Sequence, residues 1–288
     1  MLNINKILLP VDFPITSLDV IHQAATLAGH FHSEIVMLHV VTELSHAAGV
    51  PEDDRESTGW DVLREVIREA QRQHDQPLVT ELAGLTIRRM VVKGDPAWAI
   101  VKMAEEEKAD LIMMPSHGAT PEQFLLGSVA TKVLSRTGCP IWTGAHVEHS
   151  GVQESAIRSV LCAVDLGPRS NEAVSWAAPL AVEFGARLTI AHVTAGVEFW
   201  GPGGNYVDEK LKKALVDDAT QRIAKFQQDT GIKADVFMGS GDVPKVLSQA
   251  ATQTKADLLV TGCYPYGTHL RTHGYAIICA VPIPVLNV

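Results

Sequence analysis

Two glycines and a serine towards the end of the first half of the chain have the spacing of a phosphate-binding loop. An apolar segment ends at Met114, Gly118 follows in a polar loop, and a helical pattern then begins at Gly127-Ser128-Val129. Ser128 is expected to be the N-cap of this helix, with the N–H groups of Gly127, Ser128 and Val129 facing an anion. An ordinary capped helix has the same pattern, so the residues alone leave both interpretations open.

A carboxylate closes the first apolar segment, where Asp12 follows Pro10 and Val11. Ligands of open α/β sheets bind beyond the carboxyl ends of the strands. An Asp in that place can accept a hydrogen bond from an adenine amine or a ribose hydroxyl. It can equally cap the next turn, and Asp165 repeats the position in the second half. The sequence does not separate these two roles.

No pattern in the chain supplies a catalytic or metal-binding set of residues. The G-x4-G-K-(S/T) phosphate loop and the G-x-S-x-G nucleophile elbow are both absent. His269 and His273 are four apart, which suits a metal on a helix, but no third ligand accompanies them. We therefore predict no catalytic residues and no metal site. Hydrolysis of a bound ATP would be slow and incidental.

Composition limits the remaining classes of function. The net charge of −9 argues against the broad basic surface that nucleic acids require, so no nucleic-acid partner is expected. No apolar run is long enough to span a bilayer, and no signal peptide is visible, so no membrane partner and a cytoplasmic location are expected. The four cysteines are scattered and form no C-x2-C pair, which is typical of a reducing compartment.

The chain contains two copies of one pattern. The segment 6–12, KILLPVD, returns 153 positions later as SVLCAVD, and EIVMLHVV at 34–41 returns at the same offset as RLTIAHVT. Gly94-Asp95 matches Gly241-Asp242, and each copy ends on a short apolar segment. The polar stretch 145–157 has neither helical nor strand periodicity. The repeat predicts two domains, 1–150 and 151–288, joined by this linker.

Strands and helices alternate in each copy. In the first copy the apolar runs 6–11, 35–41, 86–92, 110–114 and 140–143 predict strands, and the patterns 16–29, 56–74, 97–107 and 128–136 predict helices. Gly29 is the expected stop of the first helix, and Asp95 with Pro96 is the expected start of the third. Such alternation implies an α/β fold, with a doubly wound, five-stranded parallel sheet flanked by helices in each half.

The order of these blocks resembles a tandem universal stress protein, with two copies of that family's domain covering nearly all 288 residues. The family's nucleotide-binding members carry G-x2-G-x9-G-(S/T) after the fourth strand. The resemblance implies the strand order 3-2-1-4-5. It also implies that Pro10, Val11, Asp12 and Val41 hold an adenosine, that Met114 lines the pocket, and that Gly118, Gly127, Ser128 and Val129 hold the phosphates.

Both copies depart from the family's motif. In the first, Pro115 replaces the first glycine, and eight residues instead of nine separate Gly118 from Gly127. Proline removes an N–H and excludes positive φ, which weakens that part of the site. In the second, Gly262 is kept, but Pro265 follows and Arg271 stands only nine residues after Gly262. That loop is predicted to be degenerate.

By this resemblance the protein is expected to be a cytoplasmic stress-response sensor or regulator. Its first half would bind ATP or another adenine nucleotide, with Mg²⁺ as the accompanying cation, and its state would be read by a regulatory protein. The two halves are expected to form an internal pseudo-dimer through their fifth strands, and a homodimer of the whole chain is compatible with this arrangement. The alternative is a nucleotide-free interaction module with both sites degenerate. An adenylating enzyme ranks last, because its HIGH-type or SGGxDS-type signature is absent.

Overall fold

The computed structural model of the protein describes residues 2–11, 18–42, 82–116, 126–145, 157–167, 170–194, 198–201, 204–207, 209–262 and 271–288. The chain divides into two compact units, one made mainly of residues 3–120 and 127–141 and the other mainly of residues 142–288. The predicted boundary at 150/151 lies outside the described ranges and stays a prediction. In the described part of the chain, no helix is both long and apolar enough to cross a membrane.

The first unit is a parallel sheet with helices between its strands. Its elements are β1 (Lys6–Pro10), α1 (Leu18–Phe31), β2 (Glu34–Val41), β3 (Thr86–Lys93), α2 (Pro96–Glu106), β4 (Leu111–Met114), α3 (Ser128–Arg136) and β5 (Ile141–Thr143). β1 pairs in parallel with both β2 and β4, and β2 pairs in parallel with β3. The strand order β3-β2-β1-β4-β5 is the predicted order 3-2-1-4-5.

The second unit repeats this sheet. Its elements are β6 (Ser159–Ala163), α4 (Ser170–Glu183), β7 (Arg187–Thr194), β8 (Glu198–Gly201), β9 (Gly204–Val207), α5 (Glu209–Thr230), β10 (Asp235–Ser240), α6 (Val243–Thr254), β11 (Leu258–Thr261), α7 (Arg271–Ala280) and β12 (Val285–Asn287). The sheet order is β10-β7-β6-β11-β12. The hairpin of β8 and β9 is antiparallel and was not predicted from the sequence.

The central strands are buried on both faces, as their continuous apolar runs predict. Ile7, Leu8 and Leu9 of β1 are almost completely shielded from solvent, and so are all four residues of β4. The predicted strand bounds of the first half agree with the structure to within two residues at each end. The predicted helix at 56–74 lies outside the described residues.

The turn between the third strand and the next helix is built in the same way in both units. Asp95 is the N-cap of α2 and accepts a hydrogen bond from the Trp98 amide at 2.9 Å. Asp242 caps α6 through the Lys245 amide at 3.1 Å. The glycine before each cap has positive φ, a backbone conformation that residues other than glycine rarely adopt. The sequence prediction of an Asp cap after a glycine turn is confirmed.

The predicted end of α1 at Gly29 is wrong, because the helix continues to Phe31. The residue that leaves the helix is His32, at φ 56°, and the Ser33 amide donates to the Ala28 carbonyl at 3.0 Å. This is the hydrogen bond of a Schellman motif, whose left-handed residue is usually glycine. The second unit has Gly185, at φ 61°, at the corresponding position.

One acidic residue in each unit joins the beginnings of the first and fourth strands. Oδ2 of Asp110 accepts the amides of Asn5 at 2.8 Å and Lys6 at 3.0 Å. Oδ2 of Asp257 accepts two amides in the same way, those of Arg158 at 2.8 Å and Ser159 at 2.9 Å. Asp110 and Asp257 therefore stabilise the amino edge of their sheets in the same way.

An ion-pair network lies at the amino edge of the first sheet. The Arg88 guanidinium contacts Glu107 with both of its terminal nitrogens, and Arg88 Nε lies 2.9 Å from Glu34 Oε1. Lys6 Nζ lies 3.1 Å from Glu107 Oε2. Hydrogen bonds from Arg88 and then Lys6 lower the pKa of Glu107 to about 2. Glu107 is therefore charged at neutral pH.

Candidate functional site

The carboxyl ends of three neighbouring strands meet in the first unit. The register pairs Pro10 with Leu38 and Leu8 with Ile112, so β1, β2 and β4 end at the same edge of the sheet. The predicted adenosine residues Pro10 and Val41 and the predicted pocket residue Met114 lie at these ends and are buried. This is the edge at which ligands of open α/β sheets bind.

Val11 is held to β2 on both sides of its α-carbon. Its amide donates to the Leu38 carbonyl at 2.9 Å, and Nδ1 of His39 lies 2.9 Å from the Val11 carbonyl oxygen. Because a carbonyl oxygen only accepts, Nδ1 of His39 carries the proton. The end of β1 therefore keeps a fixed backbone conformation one residue beyond the strand.

Val41 is the point where β2 meets the turn before α2. Its carbonyl accepts a hydrogen bond from the Gly94 amide at 3.0 Å. In the second unit the Gly241 amide donates to the carbonyl of Thr194, the counterpart of Val41, at 3.1 Å. The positive φ of each glycine thus brings the start of a helix next to the end of the second strand.

The helix α3 begins one residue earlier than the capping prediction requires. Gly127, at φ −56° and ψ 147°, is the N-cap, and Ser128 is the first helical residue, so the prediction of Ser128 as N-cap is wrong. The Gly127 carbonyl accepts the Thr131 amide at 2.9 Å and the Thr131 hydroxyl at 3.0 Å. Gly127 has no side chain that could cap the first turn of α3, and no described residue supplies a capping side chain in its place. The positive end of the α3 dipole therefore lies at this N-terminus with no described side chain to neutralise it.

The amide of Gly127 has a different role from the predicted one. It donates to the Ser116 carbonyl at 2.8 Å, so the expectation that this N–H faces an anion is wrong. The hydrogen bond joins the start of α3 to the chain two residues after β4. The start of α3 is thereby fixed near the end of β4, and the amides of Ser128 and Val129 remain candidates for phosphate.

One exposed ion pair lies near the start of α3, whereas two of the predicted site residues cannot be placed. Asp12 and Gly118 lie outside the described residues. The Lys132 ammonium lies 4.0 Å from a carboxylate oxygen of Asp95, and about half of each side chain is exposed. Such an exposed pair contributes little to stability, so Lys132 brings a cation to the second turn of α3 without a strong bond to its partner.

The aspartate that corresponds to Asp12 in the second unit forms hydrogen bonds within its own turn. Oδ1 of Asp165 accepts the Gly167 amide at 2.7 Å and the Ser170 hydroxyl at 2.9 Å. A Cβ on Gly167 would lie only 3.0 Å from that oxygen. Asp165 therefore caps the turn before α4, which is the structural one of the two roles left open by the sequence.

One side chain with a repeated contact was missed in the sequence. His192 Nδ1 lies 2.7 Å from the carbonyl oxygen of Val164, which copies the contact of His39 with Val11 in the first unit. The signal was present, because both histidines occupy the same place in EIVMLHVV and RLTIAHVT. An isolated histidine in a strand gives no indication of its partner until the strand register is known.

The described residues contain no group of three His, Cys, Asp or Glu side chains that could hold a metal ion. Burial raises the pKa of Cys139 and of Cys162 to about 12, so both are thiols at neutral pH. Neither is a candidate nucleophile. The site can hold a ligand through backbone groups and a helix N-terminus.

Both halves of the chain are similar to known proteins. The sequence profile of the universal stress protein family matches residues 3–143 and 156–271. Universal stress protein MJ0531 of Methanocaldococcus jannaschii is 34% identical over 140 residues, which are 47% of this chain and 79% of that protein. Universal stress protein MJ0577 of the same organism is 29% identical over 150 residues, which are 47% of this chain and 91% of that protein. Each relative matches about half of the chain.

Solved structures match the fold over almost the whole chain. A universal stress protein from Archaeoglobus fulgidus has a TM-score of 0.66 at 23% identity, covering 98% of this chain and 95% of that one. Protein PA1789 of Pseudomonas aeruginosa, described as functionally unknown, has a TM-score of 0.68 at 15% identity, covering 99% of this chain and 92% of that one. At these identities the likeness is one of fold.

Proposed function

Because the chain belongs to the universal stress protein family, we propose that its first half binds ATP or another adenine nucleotide, with Mg²⁺ as the accompanying cation. The observation that carries the proposal is the start of α3. Within the described part of the chain its first turn has no side-chain cap, and the Gly127–Ser116 hydrogen bond of 2.8 Å joins it to the end of β4. A helix N-terminus in this position attracts phosphate through its amides and its dipole.

The proposed ligand lies along the carboxyl edge of the first sheet. Adenosine is held by backbone at Pro10, Val11 and Val41 and by the carboxylate of Asp12, with Met114 as an apolar wall. The phosphates accept hydrogen bonds from the amides of Ser128 and Val129. Gly118 and Gly127, which have no side chain, allow the backbone to approach the phosphates closely. Asp12 and Gly118 enter this proposal from the sequence motif alone.

The nucleotide is proposed to be a signal rather than a substrate. The family membership favours a sensor or regulator, in which hydrolysis of ATP is slow and incidental. An unidentified regulatory protein would read the bound state. The cytoplasmic location, the internal pseudo-dimer and the homodimer stay predictions.

A nucleotide-free interaction module is the second candidate, and one observation favours it. The Gly127 amide is already occupied by Ser116, and Pro115 has no amide to offer. Two of the backbone donors that a phosphate loop could use are therefore missing. The second unit supports this candidate further, because Asp165 is committed to its own turn.

Calorimetric titration of ATP–Mg²⁺ into wild type and Gly127→Asp distinguishes the two candidates. At the N-cap, Asp accepts the helix amides and stabilises α3 by a few tenths of a kcal/mol relative to Gly, but it repels a phosphate. We expect one nucleotide per chain in the wild type and none in the variant, whose unfolding midpoint is equal or higher. Gly138→Asp places the same charge just beyond the other end of α3, where a Cβ meets open space, and should bind as the wild type does.

The opposite result is equally clear. If millimolar ATP–Mg²⁺ gives neither heat nor thermal stabilisation with the wild type, the nucleotide proposal is wrong and the interaction module stands. If Gly127→Asp binds as tightly as the wild type, the phosphate does not lie at the start of α3.

A further inference from the structure

We propose that His39 is a positioning residue for the nucleotide site, which holds the end of β1 in the conformation that receives the ligand. The inference rests on the proposed function, since it assigns a role to a residue outside the family motif. His39 lies in β2, and its Nδ1 is 2.9 Å from the Val11 carbonyl oxygen. The end of β1 and the end of β2 are therefore joined through a side chain as well as through the strand ladder.

The two hydrogen bonds at Val11 act on the same peptide segment. The Val11 amide donates to the Leu38 carbonyl at 2.9 Å, and His39, the next residue of β2, donates to the Val11 carbonyl. β1 itself ends at Pro10. The imidazole thus extends the attachment of β1 to β2 beyond the last strand residue, where the ladder no longer fixes the backbone.

A site that reads a ligand with backbone groups depends on this kind of support. Backbone donors and acceptors at strand ends recognise adenosine only if their peptides are already in place, because ordering them during binding lowers the affinity. Val11 is buried, and His39, which contacts it, is half-buried. The Val11 peptide leads directly to Asp12 in the sequence, so the imidazole supports the segment assigned to the adenosine.

The second unit provides a matched control within the same chain. His192 makes the same contact with Val164 at 2.7 Å and is buried. Next to it, however, Asp165 caps its own turn through Gly167 and Ser170. A merely structural histidine would matter equally in both units, whereas a positioning residue for the ligand matters for binding only in the first.

The test compares two amide substitutions that differ in reach. In His39→Asn the amide nitrogen can occupy the place of Nδ1, whereas in His39→Gln it lies nearer the place of Nε2 and misses the Val11 carbonyl. The dissociation constant of ATP–Mg²⁺ is measured by calorimetry, and the urea midpoint is measured for every variant. We expect His39→Gln to weaken binding about fivefold or more, and His39→Asn to remain within about twofold of the wild type.

His192→Gln completes the design. We expect it to lower the urea midpoint about as much as His39→Gln does and to leave the dissociation constant unchanged. Wild-type affinity in His39→Gln, or equal weakening in His39→Gln and His192→Gln, overturns the positioning role while leaving nucleotide binding intact. Absence of binding in the wild type overturns the proposed function itself. If His39→Gln does not fold, a weakened His39→Asn also contradicts the proposal.

Discussion

Gly239 in β10 is expected to tolerate no side chain while Val246 lies above it. A Cβ built on Gly239 would approach Cγ1 of Val246 closer than 3.0 Å, a separation that real Cβ atoms essentially never show, and it would lie 3.5 Å from Val246 Cβ. Val246 is β-branched and buried in α6, so its methyl group cannot rotate away freely. The glycine is required by packing rather than by its own backbone conformation.

The first unit solves the same contact with the sizes exchanged. The register places Val92 of β3 where β10 has Gly239. The residue four positions after the helix cap is Ala99 in the first unit and Val246 in the second, and both are buried. Each unit therefore pairs one large and one small residue between its third strand and the following helix.

A double-mutant cycle measures this complementarity. Gly239→Ala should lower the free energy of unfolding by about 2 kcal/mol through overpacking, and Val246→Ala by about 1.6 kcal/mol through the loss of two buried methyl groups. In the double variant the alanine methyl enters the space left by Cγ1. Its total loss should therefore be near 2 kcal/mol, which gives a coupling of roughly 1.5 kcal/mol.

Urea unfolding followed by circular dichroism gives the four free energies. Additive effects of the two substitutions would refute the reasoning, because they would mean that the two side chains do not share the space. A neutral Gly239→Ala would refute it as well. The expected pattern is a double variant no less stable than Gly239→Ala alone, although Val246→Ala by itself is destabilising.

An ion pair, a residue with positive φ and a carboxylate that joins two strands give three more predictions. Glu107→Gln should lower the free energy of unfolding by about 1 kcal/mol at pH 7, after allowance for the solvent-exposed Arg88. Hydrogen bonds, first from Arg88, lower the pKa of Glu107 from 4.5 to about 2. The stabilisation is therefore complete above the pKa of the unfolded state and is lost as the pH falls towards 2. Urea midpoints at several pH values measure this loss. His32→Gly should raise stability by about 1 kcal/mol, measured by calorimetry, because glycine adopts positive φ without strain. Asp257→Ala should cost about 2 kcal/mol and speed hydrogen exchange at the Ser159 amide.

Each of these variants has a partner that should behave differently. Glu106→Gln removes an exposed pair with Lys102 and should change the urea midpoint little at any pH. His30→Gly, inside the last turn of α1, should lower stability by about 1 kcal/mol. With Asp257→Ala, exchange at the Lys6 amide should stay slow, because Asp110 holds it. Equal effects within any of these pairs would contradict the corresponding argument.

The sequence was informative wherever a short segment determines its own structure. The buried strands are continuous apolar runs, so the repeat and the strand bounds could be read directly. The Asp95 and Asp242 caps depend only on the following three residues and were predicted for the same reason. The order 3-2-1-4-5 came from the family resemblance rather than from the residues.

Contacts between distant segments could not be read in this way. The Gly127 amide bonds to Ser116 across a loop, which removed it from the predicted phosphate donors. His39 meets Val11 only because β1 and β2 pair in one register. The end of α1 was misplaced because a left-handed His32 has no sequence signature comparable with glycine. In each case a hydrogen bond or a backbone angle determines the local structure, and the composition of the segment does not specify it.

The carboxylate that joins the first and fourth strands has a consequence for the growing chain. Asp110 reaches Asn5 across 105 residues, and β4, which follows it directly, lies beside β1. At the usual rate of protein synthesis, β1 is complete roughly 5 to 20 seconds before its second neighbour exists. During that interval the apolar strand segment Ile7–Leu9 can pair along only one of its edges, with β2. We expect chaperones that bind nascent apolar strands to bind this segment during the delay. The same delay recurs in the second unit, where Asp257 must meet Arg158 across 99 residues.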